Sequence, residues 1–493
     1  MSDSFNGFGF TNNDPFEEEP TGGEEKDSNS SHPKDDSAET SSGNTSFSFT
    51  FPTGFISPEN MNEIMGQLNQ LGLSPNSFMN SLNNNSLINR DQVREIARGY
   101  ISKQSELPIG NIDVKLARDS FDIANTWLDG VTNFPNTTPT LSPAWSRRDW
   151  LDATINSWHD FVEPLAEGMA TALTTNFTNL TQGEGGFAFD VEAMESMGLP
   201  AEVFNNPQFI DQMKTMMRTL MGMMVATQLG QALGQLATTV NGSHDAGIPI
   251  FHDRNNNSEV HPNRYQSEVH LLPQNISQWS DGLGIREDEV RIYLALRESA
   301  AARLFTHVPW LYEYLRTALT EYGRGITIDM RAMSSDAQEL LESGKFDPSN
   351  PESFNNAISA GLFTPEQSEM QGKAIGRIEM ILTLIEGWID HVVKNAGEDR
   401  LPAFNLLSET LRRSRATNAP VQQLIKNLLG VEISPRKMRE CASFWNSIFE
   451  LRGAQGRDER WEEPALLPQS EDLADVAKFL ASFEVPDDLS GLL

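Results

Sequence analysis

The segment LALRESAAARLFTHVPW, residues 294–310, carries the features that decide the fold class and the site of this chain. Its apolar residues recur with a helical period: at about 100° per residue, Leu294 and Leu304 fall within about 60° of Arg297. Arg297 therefore lies in the middle of an apolar helical face, with Glu298 at its edge. A guanidinium in that position keeps its proton, so the sequence predicts that Arg297 is buried beside an acidic partner.

The same periodicity predicts a mainly α fold, a multi-helix body. The helix of the opening segment is predicted over 287–306, since Pro309 cannot continue it. A long helix is predicted to start at Thr364-Pro365, with a threonine cap and proline at the first position, and to run to about Asn395. Further helices are predicted over 57–73, 91–102, 113–131, 146–175, 206–240, 402–414, 420–429, 435–451 and 470–483. One small hairpin or ordered loop is predicted between Ile248 and Leu272.

Composition divides the chain into three parts. Residues 1–88 are predicted to be a disordered acidic tail with one short helix, because residues 1–40 alone hold 11 acidic and 2 basic side chains. Residues 89–483 are predicted to form the helical domain, and 484–493 a second acidic tail.

The net charge of −32, from 69 acidic and 37 basic residues, predicts no binding to nucleic acid, whose phosphates would be repelled. The segment 219–242 has no charged residue, but Gln228 and Gln231 argue against a lipid environment, so no stable membrane insertion is predicted. Cys441 is the single cysteine, and the N-terminus has no secretory signal pattern, so we expect a cytoplasmic protein.

Small residues recur at every fourth position of the predicted helix 206–240. Ala226, Gly230, Gly234 and Thr238 form a low ridge that would let another helix backbone approach closely. The six methionines of this helix between Met213 and Met224 favour core packing over an adaptable binding surface.

The opening segment also has the spacing of a zinc-protease helix from which the ligands are missing. In the pattern H-E-x-x-H, two histidines one turn apart hold the metal and the glutamate activates its water. Here the three positions read Arg297, Glu298 and Ala301. Of the three groups, only the glutamate remains.

Acidic residues that could pair with Arg297 follow the long helix of the C-terminal half. Glu379 and Glu386 are seven residues apart and border its apolar face, on which Trp388 lies. His391 is about 140° from Glu386 on the same helix, an angle that argues against a shared metal ion. Spacing alone leaves open whether the two glutamates form a site or an ordinary solvated flank.

Four histidines lie close together in sequence, at positions 244, 252, 261 and 270. Their spacings of 8, 9 and 9 fit no ligand pattern on a helix or a strand, so we interpret them as loop histidines and not as a metal site.

Two signatures resemble the actinobacterial zinc-dependent metalloprotease family, also described as zincin-like hydrolases. The first runs from Leu272 to Trp310 and includes YLALRE and RLFTHVPW; the second is IEGWIDHVV, residues 385–393. The resemblance extends over about 91–483. It implies an all-helical zincin-like fold, with Glu298 as catalytic base and Glu386 as a downstream zinc ligand.

This chain departs from the family pattern at the site itself, since members of the most similar branch often keep a histidine at the position of Ala301 and this sequence lacks both histidines. We therefore predict a catalytically degenerate family member with no bound cofactor, and zinc is implied by the resemblance only. In this hypothesis Glu298 is a vestigial base and Arg297 replaces the cation, pairing with Glu386 or Glu379. Structural roles are predicted for four residues: Ala301, Glu379, Trp310 and Trp388.

Two alternatives remain open. One is an active zinc hydrolase that uses Glu298, Glu386 and a recruited His307 or His391. The other is a non-enzymatic scaffold whose acidic tails and methionine-rich helix bind an unidentified protein or peptide partner. His307 follows the site by one and a half turns, and we expect it to cap the helix end.

Overall fold

The computed structural model describes six stretches of the chain: residues 86–137, 140–181, 207–248, 268–327, 368–418 and 438–483. The tails predicted over 1–88 and 484–493, and the helices predicted over 57–73 and 420–429, lie wholly or almost wholly outside these stretches. None of the helices in the described stretches is both long and apolar enough to cross a membrane.

The described residues form eleven α-helices and no strand, so the predicted mainly α class is confirmed. The helices are α1 (Arg90–Ser102), α2 (Asn111–Leu128), α3 (Arg147–Thr181), α4 (Pro207–Ala237), α5 (Pro273–Ser280), α6 (Glu287–His307), α7 (Trp310–Arg324), α8 (Glu369–Gly397), α9 (Phe404–Asn418), α10 (Met438–Asp458) and α11 (Val476–Ala481). Short 3₁₀ turns at Glu459–Trp461, Pro464–Leu466 and Asp472–Ala474 connect the last two helices.

The region between Ile248 and Leu272, predicted as a hairpin or ordered loop, is described only at its two ends. Residues 249–267 lie outside the described stretches. At the second end, Leu271 forms isolated bridges with Ala144 and with Gly242. These bridges join the segment before α5 to the segment before α3 and to the loop that follows α4.

Helix α6 lies at the centre of the fold, packed against α2 on one side and α8 on the other. Every residue from Tyr293 to Phe305 is buried, so this part of the helix has no face toward solvent. Its first turn carries three acidic residues, 287–289, which interact favourably with the positive end of the helix dipole. The buried core continues through α8 and α10 into the 3₁₀ turn after α10, and the three tryptophans of these elements, Trp388, Trp445 and Trp461, are fully buried.

The small-residue ridge of α4 makes the close helix contact that its spacing predicts. A Cβ atom on Gly230 would lie 2.8 Å from Cβ of Ile96, and one on Gly234 would lie 2.7 Å from Cβ of Tyr100. Both partners belong to α1. Larger residues at these two positions would force the helices apart.

Helix α8 begins later than its sequence start signals predict. Its cap is Ser368, whose hydroxyl accepts from the backbone N–H of Gln371, while the Gln371 side chain accepts from the Ser368 backbone N–H. This capping box satisfies two amide donors at once. The predicted start at Thr364-Pro365 lies outside the described residues, and the helix that the structure describes begins only after Ser368, whose backbone is extended. At the other end of the chain, the helix predicted over 470–483 is a 3₁₀ turn followed by the six-residue α11.

Candidate functional site

Arg297 of α6 lies between two carboxylates of α8. Its side chain is 6% exposed, and its two terminal nitrogens donate to Glu386 and Asp390, which are one helical turn apart. Of the partners offered by sequence, Arg297 therefore pairs with Glu386 and additionally with Asp390. Glu379 lies two turns earlier on α8.

A second arginine extends this pair into a chain of charges. Arg415 of α9 contacts the same Glu386 and also Asp245, at 2.5 Å from Nη2 to Oδ1. The order along the network is Asp390, Arg297, Glu386, Arg415, Asp245. Three carboxylates thus surround two guanidinium groups, and the network joins α6, α8, α9 and the loop after α4.

The network holds Arg297 and Glu386 in their charged forms. Burial opposes ionisation of Glu386, but the guanidinium groups of Arg297 and Arg415 outweigh it and hold the pKa of this carboxyl below its usual value. Burial likewise opposes the charge of Arg297, yet Glu386 and Asp390 raise its pKa well above normal. At neutral pH the site therefore contains fixed ion pairs.

Glu298, the residue next to Arg297, accepts three hydrogen bonds from the loop after α4. The hydroxyl of Ser243 donates to Oε1, the backbone N–H of His244 lies 2.9 Å from Oε2, and Nδ1 of His244 lies 2.7 Å from Oε1. Glu298 and His244 are both buried, at 3% and 1% exposure. Both oxygens of the Glu298 carboxylate are consequently occupied.

The loop can approach Glu298 this closely because residue 242 is a glycine. A Cβ atom there would lie 2.3 Å from Oε2 of Glu298, well inside van der Waals contact. Two backbone bonds keep the loop in place: Ser243 N donates to the carbonyl of His270 (3.1 Å), and Leu272 N donates to that of Asn241 (2.9 Å).

A narrow cleft lies between this loop and helices α6, α8 and α9. It holds about 340 Å3 of empty volume, including the part open to solvent. Its polar lining comes from Asn241, His244, Glu298 and the members of the charge network other than Asp390. Its apolar lining comes from Leu294, Ala301 and Ile389. Ala301, which stands at the second histidine position of the zinc pattern, therefore borders the cleft without offering a donor.

The two histidines that sequence offered as recruited ligands lie elsewhere. His307 is exposed at the end of α6, where its Nδ1 lies 2.8 Å from the carbonyl oxygen of Arg303 and its ring stacks on Phe134. This position agrees with the predicted role at the helix end. His391 faces away from the cleft, with Nε2 3.0 Å from Asn395 and its ring edge-on to Phe449. Burial, with Arg457 nearby, lowers the pKa of His391 to about 3.

Trp310 and Trp388 tie the helices around the site to the C-terminal segment. The indole N–H of Trp310 donates to the carbonyl of Trp461 at 2.9 Å, and that of Trp388 donates to buried Asp458 at 2.9 Å.

Sequence reasoning missed His244 and its loop. The spacing of the four histidines fits no ligand pattern and predicts loop residues; His244 lies in a loop, while His252 and His261 lie outside the described residues. The signal that could have identified it is the polar run Asn241–Asp245 directly after a long uncharged helix, since functional residues concentrate in loops held by rigid elements. Its contact with Glu298, 54 residues away, depends on tertiary structure.

A different group of potential ligands lies on α3. His159, Asp160 and Glu163 place ligand atoms within 4.8 Å of one another, and no other such group occurs among the described residues. These side chains bind the segment before α1: His159 Nε2 lies 3.0 Å from the carbonyl of Ile88, and the Ser86 hydroxyl donates to Glu163 at 2.6 Å. We interpret the group as a structural clasp.

Comparison with known proteins gives one family. The zincin-like metallopeptidase family matches residues 88–480. A search among curated proteins gave no significant match. Among solved structures, the chain is similar to one described as "a putative hydrolase with a novel fold" from Chloroflexus aurantiacus, at 18% identity and a TM-score of 0.48, over 80% of this chain and 98% of the other. Because the family match spans most of the chain and every helix around the cleft, this protein belongs to the zincin-like metallopeptidase family.

Proposed function

We propose that this chain is a zincin-family protein whose cleft has lost zinc-dependent peptidase activity, with Arg297 in place of the metal. The observation that carries the proposal is the pairing of Arg297 with Glu386 and Asp390. A positive charge is thereby fixed beside the carboxylate that the family resemblance implies as a zinc ligand.

The residues of the cleft do not fit a zinc ion. Zinc in proteins is held by three or four nitrogen, sulfur or oxygen donors at about 2.0–2.3 Å. At the two histidine positions of the pattern stand a guanidinium, which cannot be deprotonated, and a methyl group. Glu386 is engaged by both Arg297 and Arg415. A zinc ion would have to displace these guanidinium groups and tolerate their charge.

The remaining candidate donors do not complete a site. Both oxygens of Glu298 accept hydrogen bonds from the loop after α4. His244 is the one imidazole lining the cleft within the described part of the chain, and a single histidine holds zinc weakly. His307 and His391 lie outside the cleft lining, so the alternative of a recruited histidine receives no support from their positions.

The decisive experiment measures the zinc content of the wild-type chain and of a variant in which the two histidines of the zinc pattern are restored. We expect the purified full chain, dialysed against zinc at a low free concentration, to retain much less than one zinc per chain and to leave a peptide library uncleaved. The double variant Arg297→His and Ala301→His should gain about one zinc per chain, since it recreates two imidazoles one turn apart.

A matched control is His307→Gln, which should change neither the zinc content nor the absence of peptide cleavage. Stoichiometric zinc in the wild-type chain that is lost on Glu386→Gln, together with peptide cleavage, would contradict the proposal and favour a zinc hydrolase with an unusual ligand set.

A further inference from the structure

The side chain of His159 on α3 is fully buried, and both of its ring nitrogens face oxygen atoms. Nδ1 lies 3.0 Å from Oδ1 of Asp160 and 3.5 Å from Oε2 of Glu163. Nε2 lies 3.0 Å from the carbonyl oxygen of Ile88 and 2.9 Å from Oγ of Ser86. We infer that His159 is held as the imidazolium ion, and that it is a pH-sensitive latch between α3 and residues 86–89, the segment that leads into α1.

Neither neutral form of the ring fits these contacts. With the single proton on Nε2, the lone pair of Nδ1 would face the carboxylates of Asp160 and Glu163, which only accept hydrogen bonds. With the proton on Nδ1, the lone pair of Nε2 would face the carbonyl oxygen of Ile88, which has no proton to donate. Only a ring with both protons donates on both sides.

The hydroxyl of Ser86 does not supply the missing proton. A serine has one hydrogen to donate, and the shortest contact of this oxygen is to Oε1 of Glu163, at 2.6 Å. Ser86 therefore accepts from Nε2. The contacts from Ser86 through His159 to Asp160 follow the order of a hydrolytic triad, but a ring without a lone pair cannot act as the base that such a triad requires.

The charges around His159 balance only when the ring is positive. Arg90 of α1 donates to Oδ1 of Asp160 at 2.9 Å, so the group holds two carboxylates, one guanidinium and the ring. A neutral ring would leave one negative charge in excess, in a chain whose net charge is already −32. Burial opposes a charge on the ring, but two carboxylates in contact with it and the negative field of the chain favour the bound proton.

Charged side chains on the helices packed against α3 form pairs of their own. These are Arg94 and Arg98 of α1 with Asp152, Arg218 of α4 with Glu167, and Arg316 of α7 with Glu313. Among the described residues, the carboxylates in contact with the ring are the two of its own helix. The protonation of His159 therefore depends on these two groups and on Arg90, which binds one of them.

The latch fixes the start of α1. The ring binds the first part of the segment, and the backbone N–H of Leu87 donates to Oε1 of Glu163 at 3.2 Å. Asn89, at the end of the segment, caps α1 by accepting from two backbone N–H groups. When the pH rises, we expect the Nε2 proton to leave first, because Nδ1 faces two negative charges. The Nε2 lone pair then faces the carbonyl oxygen of Ile88, and the segment is released from α3.

The first test is nitrogen-15 NMR of the full chain labelled at its eight histidines. The His159 signals are those that His159→Gln removes. We expect this ring to carry both protons at about pH 7.5, where an ordinary histidine is neutral, and Glu163→Gln should move the loss of the second proton to lower pH. Absence of any doubly protonated histidine in the folded wild-type chain at about that pH would overturn the inference, even if the variants do not fold.

Hydrogen exchange measures the release of the segment. In the wild-type chain, the peptide 86–93 should lose protection as the His159 ring loses its proton, after correction for the intrinsic effect of pH on exchange. In His159→Gln the protection should be low at about pH 6.5 and about pH 8.5 alike, because the bonds that depend on the proton are missing at both. His307→Gln, at an exposed position, should behave as the wild-type chain does.

Two further outcomes would overturn the latch. One is protection of the peptide 86–93 that stays constant while the ring titrates, since the proton would then hold nothing in place. The other is a change in the His159 signals on addition of excess chelator, which would show that a metal ion and not a proton joins the ring to its carboxylates.

Discussion

Replacing Arg297 by methionine tests whether the charge network is a buried structural element. Methionine has a similar length and an apolar side chain, so the change removes the charge and leaves most of the packing. Asp390, whose side chain is 23% exposed, would lose its guanidinium partner, while Glu386, at 13%, would keep Arg415. Removing one partner of a buried pair costs about 3–5 kcal/mol because the other charge is stranded.

The structure places the expected cost at the lower end of that range. Glu386 retains one guanidinium, and Asp390 is partly hydrated, so we expect Arg297→Met to lower the free energy of unfolding by about 3 kcal/mol. Urea denaturation followed by fluorescence measures it, as a lower midpoint with an unchanged slope. Adding Asp390→Asn to Arg297→Met should recover roughly 1–2 kcal/mol, because the stranded charge is removed.

The matched control is the exposed pair of Arg98 with Asp152, whose side chains are 48% and 38% exposed. Arg98→Met should cost less than about 1 kcal/mol, since water screens such pairs. If Arg297→Met cost no more than Arg98→Met, the burial argument for the network would be refuted.

Three further changes test other contacts. Gly242→Ala should cost roughly 1–3 kcal/mol, because the new methyl group would push Glu298 out of its hydrogen bonds; denaturation midpoints measure it, and an unchanged midpoint would contradict the close approach. His391 has a pKa of about 3 in the folded chain against 6.5 when unperturbed, so the unfolded chain binds the extra proton between these values. Stability should therefore fall by about 2 kcal/mol from pH 7 to pH 5, and His391→Gln should remove that part of the loss. Trp388→Phe should cost on the order of 1–2 kcal/mol through the lost bond to Asp458, seen as a lower melting temperature.

The helical fold could be predicted because its main determinant is local. Apolar residues with a 3.6-residue period predicted most of the helices, and the small residues Gly230 and Gly234 predicted a close approach by another helix, which the structure identifies as α1. The ends of the helices were predicted less accurately than their cores. At α8 the start signals at Thr364-Pro365 lie outside the described residues, and the observed capping box of Ser368 with Gln371 begins the described helix.

The site was predictable as far as burial and charge could constrain it. A permanently charged guanidinium in the middle of an apolar face required a carboxylate, and the long helix offered Glu379 and Glu386 at the border of its apolar face. Sequence could not predict that Asp390 would share Arg297, because a one-turn offset on a neighbouring helix depends on the crossing geometry. The contact between Arg415 of α9 and Glu386 could not be predicted from the sequence either.

The sequence by itself determined that this chain is helical and that the two histidine positions of a zinc helix hold Arg297 and Ala301, since both follow from residue identity and period. Only the tertiary structure decided which residues contact Glu298. Its partner His244 is 54 residues away in a loop, and the contact exists because a glycine at 242 lets that loop meet a buried helix. Period and composition carry no information about such an approach, which is fixed by how the helices pack.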